Sequence, residues 1–435
     1  MSRPDLNQVK ENIEYIAIGS ELLTSSYPET NSLFLADKLE NLGLEIKYKS
    51  VVSDRLDDIV GAVKVALSRS RLIFISGGLG PTDDDRTREA VARVVKRPLV
   101  FCPAILKKIK DRFAARGAKM TPSNRKQAYI IKGAEVLDNP NGTAPGLWLE
   151  TRTHLLALLP GPPPEFNPMV EKLIEEKIGI YRNNYVLKAI IRTTGAGESW
   201  VEDRIKPVYR LLPPELELTT LASPGEVQIR LTLPVKEINK QNEKIFNKVK
   251  DMIIKLLGDK VFSTEGQTLE EVVGHELSAL GQTLACAESC TGGLLADRIT
   301  SVPGSSNYFL AGLVTYSNKA KTKFLGVPSK LIKEKGAVSR EVAESMAAGA
   351  RKQAPADLAL AITGIAGPGG GSSRKPVGLV YIGLASQDGI NVVENYFQGN
   401  RRQIKVQATQ KALDMLRLKS KNKKKSIKKD KVDSQ

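Results

Sequence analysis

Leu72-Ile73-Phe74-Ile75-Ser76-Gly77-Gly78-Leu79-Gly80 decides the fold, because a short apolar run stops abruptly in a glycine-rich turn. The run reads as a buried strand. Working outward, Ile13-Glu14-Tyr15-Ile16-Ala17-Ile18 is a second such strand ending at Gly19, and Asn31 to Leu42 and Leu56 to Leu67 between them carry helical spacing. Strand, crossover helix and strand predict a parallel, doubly wound sheet whose ligands sit beyond the carboxyl ends of its strands. The unit closes after Leu159-Pro160-Gly161 and a following helix.

Val186-Leu187-Lys188-Ala189-Ile190-Ile191-Arg192 and Val227-Gln228-Ile229-Arg230-Leu231-Thr232-Leu233 alternate like half-exposed strands and, with helical segments around 199–211 and 237–257, make a small α+β domain. Thr268 opens a helix and a third unit, with strands expected near 283–287, 308–316, 357–363, 378–385 and 391–397. The expected class is α/β: two α/β domains, 1–180 and 263–418, joined by an α+β domain over 181–262. A lysine-rich tail, 419–435, is expected to be disordered.

Composition narrows the chemistry. The 435 residues include only two histidines, His154 at the start of an apolar strand and His275 off the apolar stripe of a helix. A histidine-based triad or zinc site therefore has poor material. Three cysteines are too few for a disulfide framework or a zinc cluster. No run is long and apolar enough to span a bilayer, and Met1 to Asn7 lacks the apolar centre of a leader, so a cytoplasmic protein without membrane partners is expected. Residues 417–435 hold nine basic and two acidic residues, so much of the net charge of +17 lies in the tail. That tail has no aromatic residue to stack on bases.

Two turns carry candidate chemistry. In the first, Gly77, Gly78 and Gly80 precede Pro81-Thr82-Asp83-Asp84-Asp85, at a strand-to-helix junction suited to an oxyanion. The aspartates either bring a divalent cation to a bound phosphate or complement the dipole of a helix capped by Thr82. In the second, Ala287-Glu288-Ser289-Cys290-Thr291-Gly292-Gly293 puts Ser289 at a turn whose helix-start N–H groups can face an oxyanion. Downstream, Tyr316 ends a strand, Asn318 is the expected N-cap, and Lys321 falls in the first helical turn. Lacking histidine, such a serine needs lysine as its base, with Tyr316 relaying the proton or orienting the amine. The glycine-rich loop Thr363 to Gly371 suits a mononucleotide phosphate, and Arg401 or Arg402 at the start of the last helix would add positive charge.

Taken together, these segments resemble the CinA family. The N-terminal resemblance rests on the glycine–aspartate segment, Asn124-Arg125-Lys126-Gln127-Ala128, Gly142-Thr143-Ala144-Pro145-Gly146 and Leu159-Pro160-Gly161, and is to a molybdopterin-binding-like domain. It implies a nucleotide site at Glu21, Gly77, Gly78, Gly80, Thr82, Asn124 and Arg125. It also implies a divalent metal at Asp83, Asp84 and Asp85, with ADP-ribose pyrophosphatase activity. Ser20 departs from the aspartate many relatives carry after the glycine of the first turn, which weakens metal binding. The central segment Thr194-Gly195-Ala196-Gly197-Glu198-Ser199 resembles the family's KH-type domain but lacks a basic GXXG clamp, so nucleic-acid binding is not expected.

The C-terminal resemblance adds Pro303-Gly304-Ser305-Ser306, Gly336-Ala337-Val338-Ser339 and the glycine loop, and implies a nicotinamide mononucleotide deamidase acting without a cofactor. It matches Ser289 to the nucleophile and Tyr316 and Lys321 to its partners. Thr291, Gly292, Gly293, Thr363, Gly364, Gly367 and Arg401 then form the substrate and phosphate set. A homodimer is the family expectation. The competing class is a competence- or damage-related binding protein without turnover.

Overall fold

A computed structural model describes residues 12–25, 27–179 and 185–432, so Met1 to Asn7 and the end of the tail lie outside the described residues. Two compact units emerge, Met1–Val186 with Pro234–Ile238, and Leu187–Leu233 with Asn239–Gln435.

In the first unit the six-stranded sheet runs in the order Ile46–Val52, Ile13–Ile18, Leu72–Ser76, Leu155–Leu159, Gly146–Glu150, Glu135–Leu137. Its first four strands are parallel and the last two join antiparallel. Ile13–Ile18 and Leu72–Ser76 are buried throughout, as strands covered on both faces must be. Helices Asn31–Glu40 and Pro163–Leu173 pack on one face, Leu56–Arg69 and Thr87–Val95 on the other. Strand order reverses between Ile13–Ile18 and Leu72–Ser76, and a cleft opens beyond their carboxyl ends, at the switch point. Gly77 there has φ 102°, and a Cβ would fall 2.1 Å from the Ile18 carbonyl oxygen, so only glycine fits.

The helix after this turn starts at Thr87 with Arg86 at its N-cap, which corrects the reading of Thr82 as cap. Thr87 closes the turn by donating its hydroxyl to the Gly77 carbonyl (2.7 Å) and its N–H to that of Gly78 (3.2 Å), leaving the three aspartates ahead of the helix.

The second unit holds two sheets. The small one is ordered Glu217–Ser223, Glu226–Val235, Tyr185–Thr194, Val261–Ser263, backed by helices Glu198–Tyr209 and Lys240–Leu257. The larger is ordered Phe309–Val314, Leu284–Glu288, Leu358–Gly364, Leu379–Ser386, Gly389–Tyr396, parallel over its first three strands and antiparallel after. Leu269, Val273 and Leu277 from Leu269–Leu280, with Ile404, Ala408 and Ala412 from the last helix, cover one face. Val342, Met346, Ala347 and Ala350 of Arg340–Gln353 cover the other. Thr268 starts its helix with a capping box closed by Glu271.

The last helix, expected to fade near Leu418, is continuous over Arg401–Val432, which corrects the expected disorder of the tail as far as Val432. Packing explains its first part: Ser420 is buried, Lys419 meets Asp388 at 2.6 Å and Lys421 meets Asp259 at 2.7 Å.

Candidate active site

Parallel pairing of Leu284–Glu288 between Phe309–Val314 and Leu358–Gly364 brings three carboxyl ends to one edge of the larger sheet. Ser289 follows the central strand and Thr315 the first; Thr363 and Gly364 end the third. Main-chain bonds lock the edge, Ser289 N–H donating to the Ile362 carbonyl (3.0 Å) and Thr315 N–H to that of Glu288 (2.8 Å). Gly292 and Gly293 turn the chain with φ of 61° and 96°, and Gly293 is the N-cap of Leu294–Thr300.

Lys321 reaches this edge from the helix Asn318–Leu325, whose N-cap is Ser317 rather than Asn318, since the Ser317 hydroxyl accepts from Ala320 N–H. Its Nζ donates to Ser289 Oγ at 2.8 Å and to the Thr315 carbonyl at 2.8 Å. The side chain is 1% exposed. Burial pulls its pKa below the ordinary lysine value, while the nearby Cys290 works weakly the other way. No carboxylate salt bridge offsets the cost of a buried ammonium among the described residues, so loss of a proton to give the neutral amine is easier than for an exposed lysine. That amine can accept the serine proton. Cys290 is a poor rival nucleophile, because burial pushes its thiol up to about 12.

Glu288 was quoted in the motif but given no role by the sequence, and it is completely buried. Its carboxylate accepts from the N–H groups of Gly293 (3.0 Å), Leu295 (3.0 Å) and Ala296 (2.9 Å). This corrects the expectation that the helix start stabilises an oxyanion, because an internal anion already occupies it. Gly292 N–H donates back to the Ser289 carbonyl (3.2 Å), leaving Cys290 and Thr291 N–H without a main-chain acceptor among the described residues. The Thr291 hydroxyl is buried without a partner.

Tyr316 does not join Ser289 and Lys321. It is 61% exposed, and its hydroxyl accepts from Arg401 Nη2 at 2.9 Å, while the Thr315 carbonyl holds the lysine instead. Arg401 also donates to the Gly367 carbonyl at 2.6 Å, tying the last helix to the glycine loop. The Thr363 hydroxyl is spent on the Ala337 carbonyl (2.8 Å). Lys405, one turn after Arg401, was missed by sequence reasoning: its Nζ would stand 3.8 Å from a Cβ built on Gly292. Only the fold shows that proximity.

The N-terminal cleft measures about 670 Å³ and is lined by Glu21, Gly77, Gly78, Gly80, Asp84 and Asp85, among others. Asn124 and Arg125 are not brought to it: Asn124 closes a capping box with Thr121, and Arg125 lies over the Phe101 ring at 4.8 Å. Thr82 and Asp83 are exposed and outside its lining, and Asp85 accepts from Thr82 N–H at 2.8 Å. Hydrogen bonding within the loop, led by Thr82, lowers the pKa of exposed Asp84. Among the described residues no three His, Cys, Asp or Glu side chains are grouped to hold a metal ion, and of the three aspartates Asp84 and Asp85 line the cleft. Among the described residues the cleft is lined by six carboxylates, Glu21, Glu29, Asp54, Asp84, Asp85 and Glu165, and by no basic residue. It repels a bare diphosphate.

Comparison with known proteins matches residues 14–179 to a probable molybdopterin binding domain, 188–263 to the damage-inducible protein CinA KH domain and 266–419 to the CinA C-terminal domain. A putative competence-damage inducible protein of Moorella thermoacetica is 45% identical over 406 residues, 93% of this chain and 97% of its own. A CinA-like protein of Solibacter usitatus is 42% identical over 405 residues, again 93% of this chain and 97% of its own. The solved competence/damage inducible protein CihA of Agrobacterium tumefaciens is 42% identical over 34% of this chain and 91% of its own, with a TM-score of 0.34. With these similarities running nearly end to end, the chain belongs to the CinA family.

Proposed function

We propose that the C-terminal domain is an amidohydrolase that converts nicotinamide mononucleotide to nicotinate mononucleotide and ammonia. The observation that carries this reading is the 2.8 Å contact between Ser289 Oγ and the Nζ of a buried lysine that has no carboxylate partner among the described residues. Neutral Lys321 takes the hydroxyl proton as Oγ bonds to the amide carbon. The tetrahedral oxyanion faces Cys290 and Thr291 N–H, the two donors that Glu288 leaves unused. As the C–N bond breaks, the Lys321 ammonium returns the proton and ammonia leaves. Water, deprotonated by the same amine, then cleaves the acyl ester and frees Ser289.

The exposed Tyr316 ring, held by Arg401, offers a flat face at the mouth of the site, suited to the pyridine ring rather than to proton transfer. For the N-terminal domain, whose cleft is acidic and shows no metal ligand cluster among the described residues, no pyrophosphatase step is assigned.

The pH profile of ammonia release tests the base. Because the amine must be neutral, kcat/KM rises with pH along a limb of unit slope set by Lys321, and its bend lies below the usual lysine value of 10.5. A rate that keeps climbing through the ordinary lysine range would remove the depressed amine from the mechanism.

A further inference from the structure

We infer that Lys405 is a specificity-determining residue that recognises the substrate phosphate, so that the site takes a mononucleotide in preference to its nucleoside. This rests on the deamidase reading. The helix Arg401–Val432 sends two cations, four residues apart and therefore on one helical face, toward the nucleophile turn. The first, Arg401, donates one N–H to the Gly367 carbonyl and one to the Tyr316 hydroxyl, which fixes the glycine loop and the tyrosine and commits two of its five donors. The second is free. Lys405 is half-buried, and among the described residues its ammonium has neither a hydrogen bond nor a carboxylate partner.

Its position gives that free charge a use. An ammonium whose Nζ lies 3.8 Å from the place of a Gly292 Cβ stands over an exposed, side-chain-free stretch of backbone three residues past Ser289. Gly292 therefore keeps open the approach of an anion to Lys405, and a side chain there would crowd it. Glu288 is buried under the turn, where its oxygens accept from three N–H groups, and among the described residues it makes no ion pair with the lysine.

The test uses the full-length protein with Lys405→Ala and Lys405→Arg, assayed for ammonia release from nicotinamide mononucleotide and from nicotinamide riboside. Loss of one charge-assisted contact raises KM for the mononucleotide about 10- to 100-fold with much less change in kcat. Preference for mononucleotide over riboside should shrink by the same factor, and Lys405→Arg should restore most of it. An unchanged KM, or equal losses on both substrates, overturns the proposal. If the wild type deaminates neither compound, the deamidase reading fails first, and inorganic phosphate decides Lys405 separately. Phosphate should then raise the melting temperature of the wild type more than that of Lys405→Ala, and an equal rise in both overturns the phosphate site as well.

Discussion

Replacing Lys321 by alanine is expected to reduce ammonia release from nicotinamide mononucleotide by about 10³-fold or more, the range for removing a general base, equivalent to about 4 kcal/mol of barrier. The expectation follows from what remains. Without Nζ, Ser289 Oγ loses its 2.8 Å partner, and the two histidines give no substitute. His154 bonds the Leu67 carbonyl in the other unit, and His275 is exposed on the helix Leu269–Leu280. Because the Lys321 amine also holds the Thr315 carbonyl at 2.8 Å, Lys321→Met is the better control for packing. It should melt near the wild type, since it fills the same space and relief from burying an amine without a carboxylate offsets the two hydrogen bonds lost, yet be as inactive as the alanine variant. Activity within tenfold of wild type in either variant would place the base elsewhere.

Glu288→Ala is expected to be the most damaging single change to the stability of the C-terminal domain. Three helix-start N–H groups lose a fully buried acceptor, at about 1 kcal/mol or more each, so the loss should be roughly 3–5 kcal/mol. For a unit of this size that corresponds to a fall of about 10 °C in melting temperature. Glu288→Gln keeps one acceptor oxygen but turns an amide N–H₂ toward other donors, and should recover only part of the loss. The same carboxylate sets the turn that carries Ser289, so turnover should fall along with stability. A melting temperature within about 1 °C of wild type for the alanine variant would show that water replaces the carboxylate without cost.

These two residues differ in how far the sequence revealed them. Ser289 and Lys321 were readable because each sits just beyond a strand end, and adjacent parallel strands bring such ends to one edge whatever the loops between them do. The apolar runs at 13–18, 72–76 and 283–287 were equally plain, since buried parallel strands need no alternation. Glu288 was not, because an acid beside a candidate nucleophilic serine suggests chemistry, and only the fold shows it turned under its own helix. Tyr316 was placed at a strand end two residues too late: the strand stops at Val314, and the two further residues carry the ring out to Arg401. Asn124 and Arg125 have residue types common in nucleotide sites, yet one caps a turn and the other covers an aromatic ring. Lys405 belongs to a helix more than a hundred residues downstream of Ser289, and no local pattern marks a lysine that packing brings back to the turn. The tail was misread from composition alone, because lysine-rich sequence suppresses packing in general but does not stop a helix already anchored by Ala408, Ala412 and Leu416.

The central claim is that Ser289 is the nucleophile of an amide hydrolase. It is tested most directly by ammonia release from nicotinamide mononucleotide, measured in parallel for wild type and Ser289→Ala at equal folded concentration. Sustained release by the wild type is expected, with none above the uncatalysed background in the variant. Release by the variant at the wild-type rate, or no release by either, would contradict it.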